Sequence, residues 1–226
     1  MSNRVCFYFQ VHQPYRLRDL RVTDIGAAEP DYFDDVNNRK IFRKVAEKCY
    51  LPANALLLQL IDADPEFRVS FSLSGVFLDQ CQEYGRDVLK SFKALAKTGQ
   101  VEFLGETDCH SLSALKSTAE FCAQVKAHSQ KIHKHFGRVP KVFRNTELIY
   151  SNDLANQVRL LGFRGMLAEG VDRLLGDRHP GDPVVPPTFR LPRPVERTIA
   201  AGRSRPLPSR RFHVLLKHYR LSDDVA

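Results

Sequence analysis

The stretch KVFRNTELIYSNDLANQVRLLGFRGML, residues 141–167, decides the fold class. Residues 141–144 form a short β-rich run, and residues 163–167 form a second run of the same kind. Between them, apolar residues at helical spacing fill 151–161, and Gly162 ends this segment. A strand, a helix and a second strand in this order predict two parallel strands with the helix packed outside them.

The same alternation extends toward both ends of the chain. The sequence predicts further strands over residues 4–11, 67–73, 100–104 and 214–217, and further helices over residues 39–62, 86–97 and 117–135. Pro52 lies inside the first of these helices and predicts a kink or two separate helices. This order predicts an α/β fold with parallel strands and outer helices, either a barrel or a doubly wound sheet. In both folds the chemistry occurs where the strands end.

Composition limits the classes of partner and the cellular location. No apolar run approaches the roughly 20 residues that cross a bilayer, and the first apolar run lacks a cleavage site for secretion. We therefore expect a cytoplasmic protein with no membrane partner. Five scattered cysteines lack the C-x-x-C spacing of a zinc or redox site, so most are expected to be reduced and buried.

The positive charge is concentrated in one segment. The formal net charge is +8, and residues 178–212 contribute +6 of it, from eight arginines against Asp182 and Glu196. The rest of the chain carries only +2 (8 − 6), so it has no basic face, and we expect no nucleic-acid partner. The same segment holds eight of the 13 prolines and has no strand or helix period.

Polar side chains follow three of the predicted strands. His12 and Gln13 come after the first strand, and Glu147 comes after the strand at 141–144. A third group lies on and beyond the strand at 100–104 and contains Glu102, Glu106, Asp108 and His110, of which Glu106 is interpreted as a solvated loop charge. A barrel would bring these groups to one face. The residues alone thus predict a hydrolase or a lyase, with or without a metal.

Three motifs resemble glycoside hydrolase family 57. They are VCFYFQVHQPYRL at 5–17, GQVEFL at 99–104 and FRNTELIY at 143–150, and they match the family's first three conserved regions in order. Four shorter stretches resemble its bacterial α-amylase-like branch, namely YFDD at 32–35, KCYLPAN at 48–54, LAEG at 167–170 and KHYRLSDD at 217–224. The resemblance covers residues 1–177 and 214–226.

The resemblance implies an incomplete (β/α)7 barrel that acts with retention on α-1,4-glucans or maltooligosaccharides, as an α-amylase or a 4-α-glucanotransferase. It implies no cofactor and no metal. The family's nucleophile corresponds to Glu147, and Arg144 nearby in sequence could help to keep this carboxylate ionised. The substrate-binding residues implied by the same comparison are His12, Gln13, Glu102, His110 and Glu169.

The chain departs from the family pattern at several places. The family's acid/base aspartate belongs to a fourth region beyond residues 217–224, so we expect this 226-residue chain to be an inactive fragment, and we assign Asp223 and Asp224 no catalytic role. Asp108 and Cys109 replace two aromatic residues, which predicts weaker stacking on sugar. The expected organisation is a barrel part at 1–177, an Arg/Pro-rich irregular segment at 178–212 that is an insertion or a shifted reading frame, and a resumed barrel segment at 213–226.

Two alternatives remain open from the sequence. One is a truncated, non-catalytic remnant that binds glucan. The other is a metal-dependent barrel of the polysaccharide deacetylase type, with His12, Asp108 and His110 as nitrogen and oxygen ligands. The second is disfavoured because Gln13 and Pro14 stand where such barrels have an acidic residue.

Overall fold

A computed structural model describes residues 5–24, 32–170, 212–218 and residue 222. In these residues, parallel strands alternate with helices along the chain. The strands are β1 Tyr8–Val11, β2 Val69–Leu73, β3 Val101–Phe103, β4 Val142–Arg144, β5 Gly165–Glu169 and β6 His213–Lys217. The helices are α1 Asp35–Val45, α2 Leu51–Ala63, α3 Gly75–Tyr84, α4 Arg86–Lys97, α5 Thr118–Phe136 and α6 Asn152–Leu160.

The strand order favours a barrel over a doubly wound sheet. Strands β1, β2 and β3 pair in chain order, and so do β4, β5 and β6, all of them parallel. A parallel bridge between Gly105 and Phe143 joins the two groups. The Gly105 N–H donates to the carbonyl of Val142 at 2.8 Å, and the Arg144 N–H donates to the carbonyl of Gly105 at 2.7 Å. The order therefore runs from β1 to β6 without the reversal that defines a doubly wound sheet.

Local sequence explains where the helices begin and end. Ser74, Ser117 and Ser151 each accept a hydrogen bond from a backbone N–H of the first turn of α3, α5 and α6. Gly137 ends α5 in the left-handed conformation, with φ of 66°, which glycine adopts without a steric cost. Pro52 lies in the first turn of α2, after a wide π-helical turn at residues 46–50, so the predicted interruption is confirmed.

Outward side chains of the strands form the core with the surrounding helices. Phe103 stacks on Phe136 of α5 with ring centroids 4.2 Å apart, and Phe143 meets the edges of Phe121 and Phe163. Each buried aromatic ring of this kind contributes about 1.5–3 kcal/mol of transfer free energy. The opposite, concave side of the sheet is mostly polar, and it is the side on which the candidate site lies.

The predicted strands and most predicted helices are confirmed within a few residues. The sequence did not predict α3, whose first residue is a glycine. The prediction that most cysteines are buried is wrong, because Cys81 is buried while Cys6, Cys49 and Cys109 are exposed and all five are free thiols. In the described ranges, no helix has the length and apolarity needed to cross a membrane. The Arg/Pro-rich segment lies outside the described residues except for Phe212, so the predicted domain boundaries stay a prediction.

Candidate active site

The candidate site lies on the concave side, at the C-terminal ends of β1 to β4. The register pairs Val11 with Leu73, and β2 with β3 through Phe71 and Phe103. Side chains alternate along a strand, so the inward positions that follow these pairs share one level of the sheet. They are His12, Ser74, Glu106 and Arg144. On the same face of the sheet Leu104, Leu148 and Leu167 form a small buried apolar cluster, and Leu167 pairs with Arg144 in the register.

Glu106 is fully buried, with no exposed surface. Its Oε1 accepts a hydrogen bond from Ser72 Oγ at 3.0 Å, and its Oε2 lies 3.1 Å from His110 Nδ1. Its backbone N–H donates to Nδ1 of the buried His128, whose Nε2 lies 2.8 Å from the carbonyl of Leu73. The interpretation of Glu106 as a solvated loop charge is therefore wrong. The carboxylate is a buried acceptor of two side chains, and α5 holds the backbone of the same residue through His128.

His110 connects Glu106 to Glu147. Its side chain is 10% exposed, and its ring stacks on His12 with centroids 4.3 Å apart and an interplanar angle of 25°. On the side opposite Glu106, His110 Nε2 lies 3.1 Å from Gln10 Nε2 and 3.7 Å from Glu147 Oε1. The sequence predicted His110 as a substrate-binding residue, and the structure brings it together with His12 and Glu147.

Glu147 stands at the mouth of this cluster with a 71% exposed side chain. It lies in a short 3-10 turn, Thr146–Leu148, directly after β4. Its φ is 54°, and His110 and Leu148 have φ of 52° and 53°. In the described part of the chain these are the three non-glycine residues with positive φ, and all three lie at the site. Strained backbone of this kind is concentrated at functional sites.

Arg144 does not do what the sequence suggested. Its side chain is buried at 4% exposure and its Nη2 donates to Gln10 Oε1 at 2.5 Å. Within the described residues no ion pair joins it to Glu147. Its Nε and Nη1 are buried without a hydrogen-bond partner there. Arg144 thus supplies a positive charge behind the cluster, and the carboxylate of Glu147 remains unpaired with it.

His12 is held as a neutral ring. Its Nδ1 lies 2.8 Å from Ser74 Oγ, the hydroxyl that also caps α3. Burial lowers the pKa of His12 below its ordinary value of 6.5, His110 lowers it further, and Glu106 and Arg144 act in opposite directions. A neutral imidazole can both donate and accept a hydrogen bond, which suits a group that contacts hydroxyls.

The lowered pKa of His12 predicts acid sensitivity of the fold. The unfolded chain takes up a proton near pH 6.5 and the folded chain only at lower pH, so the unfolding free energy falls as pH drops below about 6.5. Between the two pKa values this one group contributes a slope of up to about 1.4 kcal/mol per pH unit. In a His12→Asn variant, the unfolding free energy measured by urea denaturation should depend less steeply on pH than in the wild type.

His135 provides the comparison for this measurement. Burial also lowers its pKa, and the nearby Lys93 lowers it further, although it lies on α5 away from the site. A His135→Gln variant should therefore remove a separate part of the slope, and the double variant should remove both parts. An unchanged slope in His12→Asn would contradict the assignment.

Gln13, Glu102 and Glu169 were also predicted to bind substrate, and among the described residues no hydrogen bond or ion pair joins their side chains to this cluster. Gln13 Nε2 donates to the hydroxyl of Tyr50 at 3.0 Å, and its carbonyl accepts from Gln80 at 2.7 Å. Its side chain therefore points to the α1–α2 junction. Glu169 ends β5 and has Lys217 as an ion partner, with Oε2 and Nζ 3.8 Å apart.

Glu102 lies on the concave face but near the opposite end of β3. It pairs with Ser70 in the register, four residues before Glu106, which is roughly 13 Å along a strand. Burial by its surroundings raises the pKa of Glu102, and Lys141 partly opposes that rise. The binding roles of Gln13, Glu102 and Glu169 stay predictions.

Asp108 turns away from the cleft. Its Oδ2 bonds Lys131 Nζ at 2.9 Å, and the same Nζ bonds Asp79 at 2.6 Å. Gly75 makes this possible, because a Cβ at that position would lie 1.9 Å from Asp108 Oδ1. Asp108 therefore does not join His12 and His110 as the proposed metal ligands. Across the described ranges, no group of three or more His, Cys, Asp or Glu residues has the geometry to hold a metal ion.

Gln10, Ser72 and Ser74 were not predicted from the sequence to be members of the site. Gln10 has an inward position on β1, two residues before His12, and Ser72 and Ser74 have inward positions two residues apart on β2 and just after it. A polar residue at every second position of an otherwise apolar strand is the signal that could have identified them.

Comparison with known proteins agrees with the fold and the site motifs. The family model described as Glycosyl hydrolase family 57 matches residues 6–226. A curated protein of Methanocaldococcus jannaschii named "Putative alpha-amylase" is 38% identical over 222 residues, which is 98% of this chain and 43% of that protein. The chain thus spans less than half the length of this relative.

Solved structures share the fold at lower identity. A 4-alpha-glucanotransferase of Thermococcus litoralis is 20% identical, with a TM-score of 0.55 over 73% of this chain and 22% of its own. A branching enzyme of Thermococcus kodakaraensis is 16% identical, with a TM-score of 0.55 over 73% of this chain and 39% of its own. The alpha-amylase AmyC of Thermotoga maritima is 16% identical, with a TM-score of 0.54 over 80% of this chain and 42% of its own. The six strands therefore form an incomplete (β/α)7 barrel.

Proposed function

Because the chain belongs to glycosyl hydrolase family 57, we propose that it acts on α-glucans with retention of configuration and that Glu147 is the nucleophile. The observation that supports this most is the position of Glu147. Its carboxylate is exposed, stands in a strained turn after β4 and faces the His110–Glu106 pair at the strand ends. The names of the compared proteins, an amylase, a glucanotransferase and branching enzymes, support α-glucan as the substrate class.

In the proposed reaction, a carboxylate oxygen of Glu147 attacks the anomeric carbon of a bound glucosyl unit. The bond to the leaving oxygen breaks through an oxocarbenium-like transition state while a general acid protonates that oxygen, and a glycosyl ester forms on Glu147. Water or a sugar hydroxyl then gives its proton to the same group, now a base, and displaces Glu147 from the opposite face of the sugar, so two inversions give net retention. Hydrolysis and glucan transfer share this intermediate and differ only in the acceptor.

The neighbours of Glu147 fit the support of such a nucleophile. The neutral His12 can bond sugar hydroxyls, and the buried guanidinium of Arg144 adds a positive charge behind the cluster. Glu106 is not a candidate for the acid that protonates the leaving oxygen. It is fully buried and both of its oxygens are occupied by Ser72 and His110.

The test uses α-maltosyl fluoride with maltose as the acceptor. Fluoride departs without protonation, so the first step depends on the nucleophile and not on a general acid. We expect fluoride release together with α-configured products, which proton NMR identifies before they mutarotate. Binding of maltoheptaose without any fluoride release would favour the non-catalytic remnant instead, and products of β configuration would exclude retention.

A further inference from the structure

We propose that Gln10 is a positioning residue that holds His110 as a neutral ring with its proton on Nδ1. The hydrogen bonds of Arg144, Gln10, His110 and Glu106 form one chain across the site, and their direction follows from the donor and acceptor character of each group. Gln10 lies in the motif at 5–17 but was not among the site residues predicted from the sequence.

Arg144 fixes the donor and acceptor roles along this chain of hydrogen bonds. A guanidinium has only donors, and its Nη2 lies 2.5 Å from the Gln10 side chain, so the atom it meets must be the amide oxygen. The amide nitrogen of Gln10 then necessarily faces the other way. It lies 3.1 Å from His110 Nε2. The opposite amide orientation would set two donors against each other at Arg144.

The amide nitrogen of Gln10 can only donate, so His110 Nε2 must accept and cannot carry a proton. A neutral imidazole has one N–H, which is therefore on Nδ1 and donates to Glu106 Oε2 at 3.1 Å. The second oxygen of Glu106 accepts from Ser72. Each contact of this chain then joins a donor to an acceptor, and the alternative tautomer would leave a donor facing a donor at Gln10.

Four charged or titratable side chains surround the His110 ring. Glu106 and Glu147 face His110 from β3 and from the turn after β4, whereas Arg144 and the stacked His12 approach from β4 and β1. Nε2 is the atom that would take a second proton, and the amide N–H of Gln10 occupies the lone pair of that atom.

The consequence for catalysis rests on the proposed function. A doubly protonated His110 would donate from Nε2 toward Glu147 Oε1, 3.7 Å away, and would hold that carboxylate in an ion pair. The neutral ring leaves Glu147 free to attack. Gln10 would thus keep the nucleophile available without contacting substrate itself.

The test reads the ring directly, so it does not require activity. In the full chain labelled with ¹⁵N-histidine, a long-range ¹H–¹⁵N spectrum separates protonated from bare ring nitrogens. At neutral pH we expect His110 to show a proton on Nδ1 and a bare Nε2, with the signals identified by their loss in His110→Gln. In Gln10→Glu the new carboxylate can only accept, so both ring nitrogens should become protonated.

Gln13→Glu is the matched control, because it adds the same charge close by and Gln13 does not contact His110. It should leave the His110 signals unchanged. A proton on Nε2 in the wild-type chain would overturn the proposal even if the variants fail to fold. So would identical His110 signals in Gln10→Glu and the wild type. A lower kcat for fluoride release in Gln10→Glu, with KM little changed, is the expected effect on turnover. Loss of turnover in all proteins alongside the expected spectra would count against the proposed function alone.

Discussion

A maltosyl fluoride with a second fluorine on the reacting sugar ring is expected to leave a covalent maltosyl group on Glu147. The ring fluorine destabilises the oxocarbenium-like transition state of both steps, while the good leaving group still allows the first step to occur. The ester should therefore accumulate. Peptide mass spectrometry after proteolysis should find the added mass on the peptide that contains residues 145–150.

The Glu147→Gln variant should form no adduct, and its release of fluoride from α-maltosyl fluoride should fall by at least about 10³-fold, because an amide is a far weaker nucleophile than a carboxylate. Glu66→Gln, in the exposed turn between α2 and β2, is the control and should label like the wild type. Label on another carboxylate of the cleft would move the nucleophile away from Glu147. In a Gln10→Glu variant, labelling of Glu147 at a reduced rate would agree with the positioning role proposed for Gln10.

The fold could be predicted from the sequence because its signals are local. The run at 141–167 contains a strand, a capped helix that ends at a glycine and a second strand, and the structure has β4, α6 and β5 there. Helix α3 was missed because its cap, Ser74, is followed by Gly75 rather than by a strong helix former. The choice between a barrel and a doubly wound sheet required the strand order, which depends on contacts between distant residues.

The sequence identified Glu147, His12 and His110 as members of the site, and it misassigned the buried Glu106. Glu147 follows a strand inside a long motif, so its importance was visible. Glu106 follows the end of β3, and charged residues beyond a strand end usually face water. Glu106 is buried because the alternation of side chains continues past the last paired residues of β3, so Glu106 faces inward like Glu102 and Leu104. His128 of α5 also accepts a hydrogen bond from its backbone N–H. The positive φ of His110 and Glu147 had no sequence signal, because neither residue is a glycine or an asparagine.

These two carboxylates illustrate how environment separates roles. Glu147 is exposed and unpaired with Arg144, which suits a group that must react. Glu106 is buried and saturated with donors, which suits a group that must not move. His110 lies 3.1 Å from Glu106 and 3.7 Å from Glu147. The fixed position of Glu106 therefore also fixes the ring beside Glu147. The site therefore combines a reactive rim with a fixed polar base, beside the apolar cluster of Leu104, Leu148 and Leu167.

Removal of the buried carboxylate should produce the largest loss of stability among the changes considered for the site. In Glu106→Ala, the hydroxyl of Ser72 and the Nδ1–H of His110 both lose their acceptor in a place that water does not reach. Each orphaned buried donor costs about 1–3 kcal/mol, and the lost side chain also leaves a void. We expect the unfolding free energy to fall by about 2–5 kcal/mol, measured by urea denaturation at neutral pH.

Two variants separate this cause from a general effect of changing β3. Glu106→Gln keeps one acceptor oxygen but turns an NH₂ group toward the second donor, so it should cost about 1–3 kcal/mol, less than the alanine variant. Glu102→Ala changes an exposed glutamate on the same face, so its effect should stay within about 0.5 kcal/mol. If Glu106→Ala were as stable as Glu102→Ala, the hydrogen bonds of Glu106 with Ser72 and His110 could not be the fixed base of the site. A loss confined to Glu106→Ala and Glu106→Gln would instead locate that base at this one carboxylate.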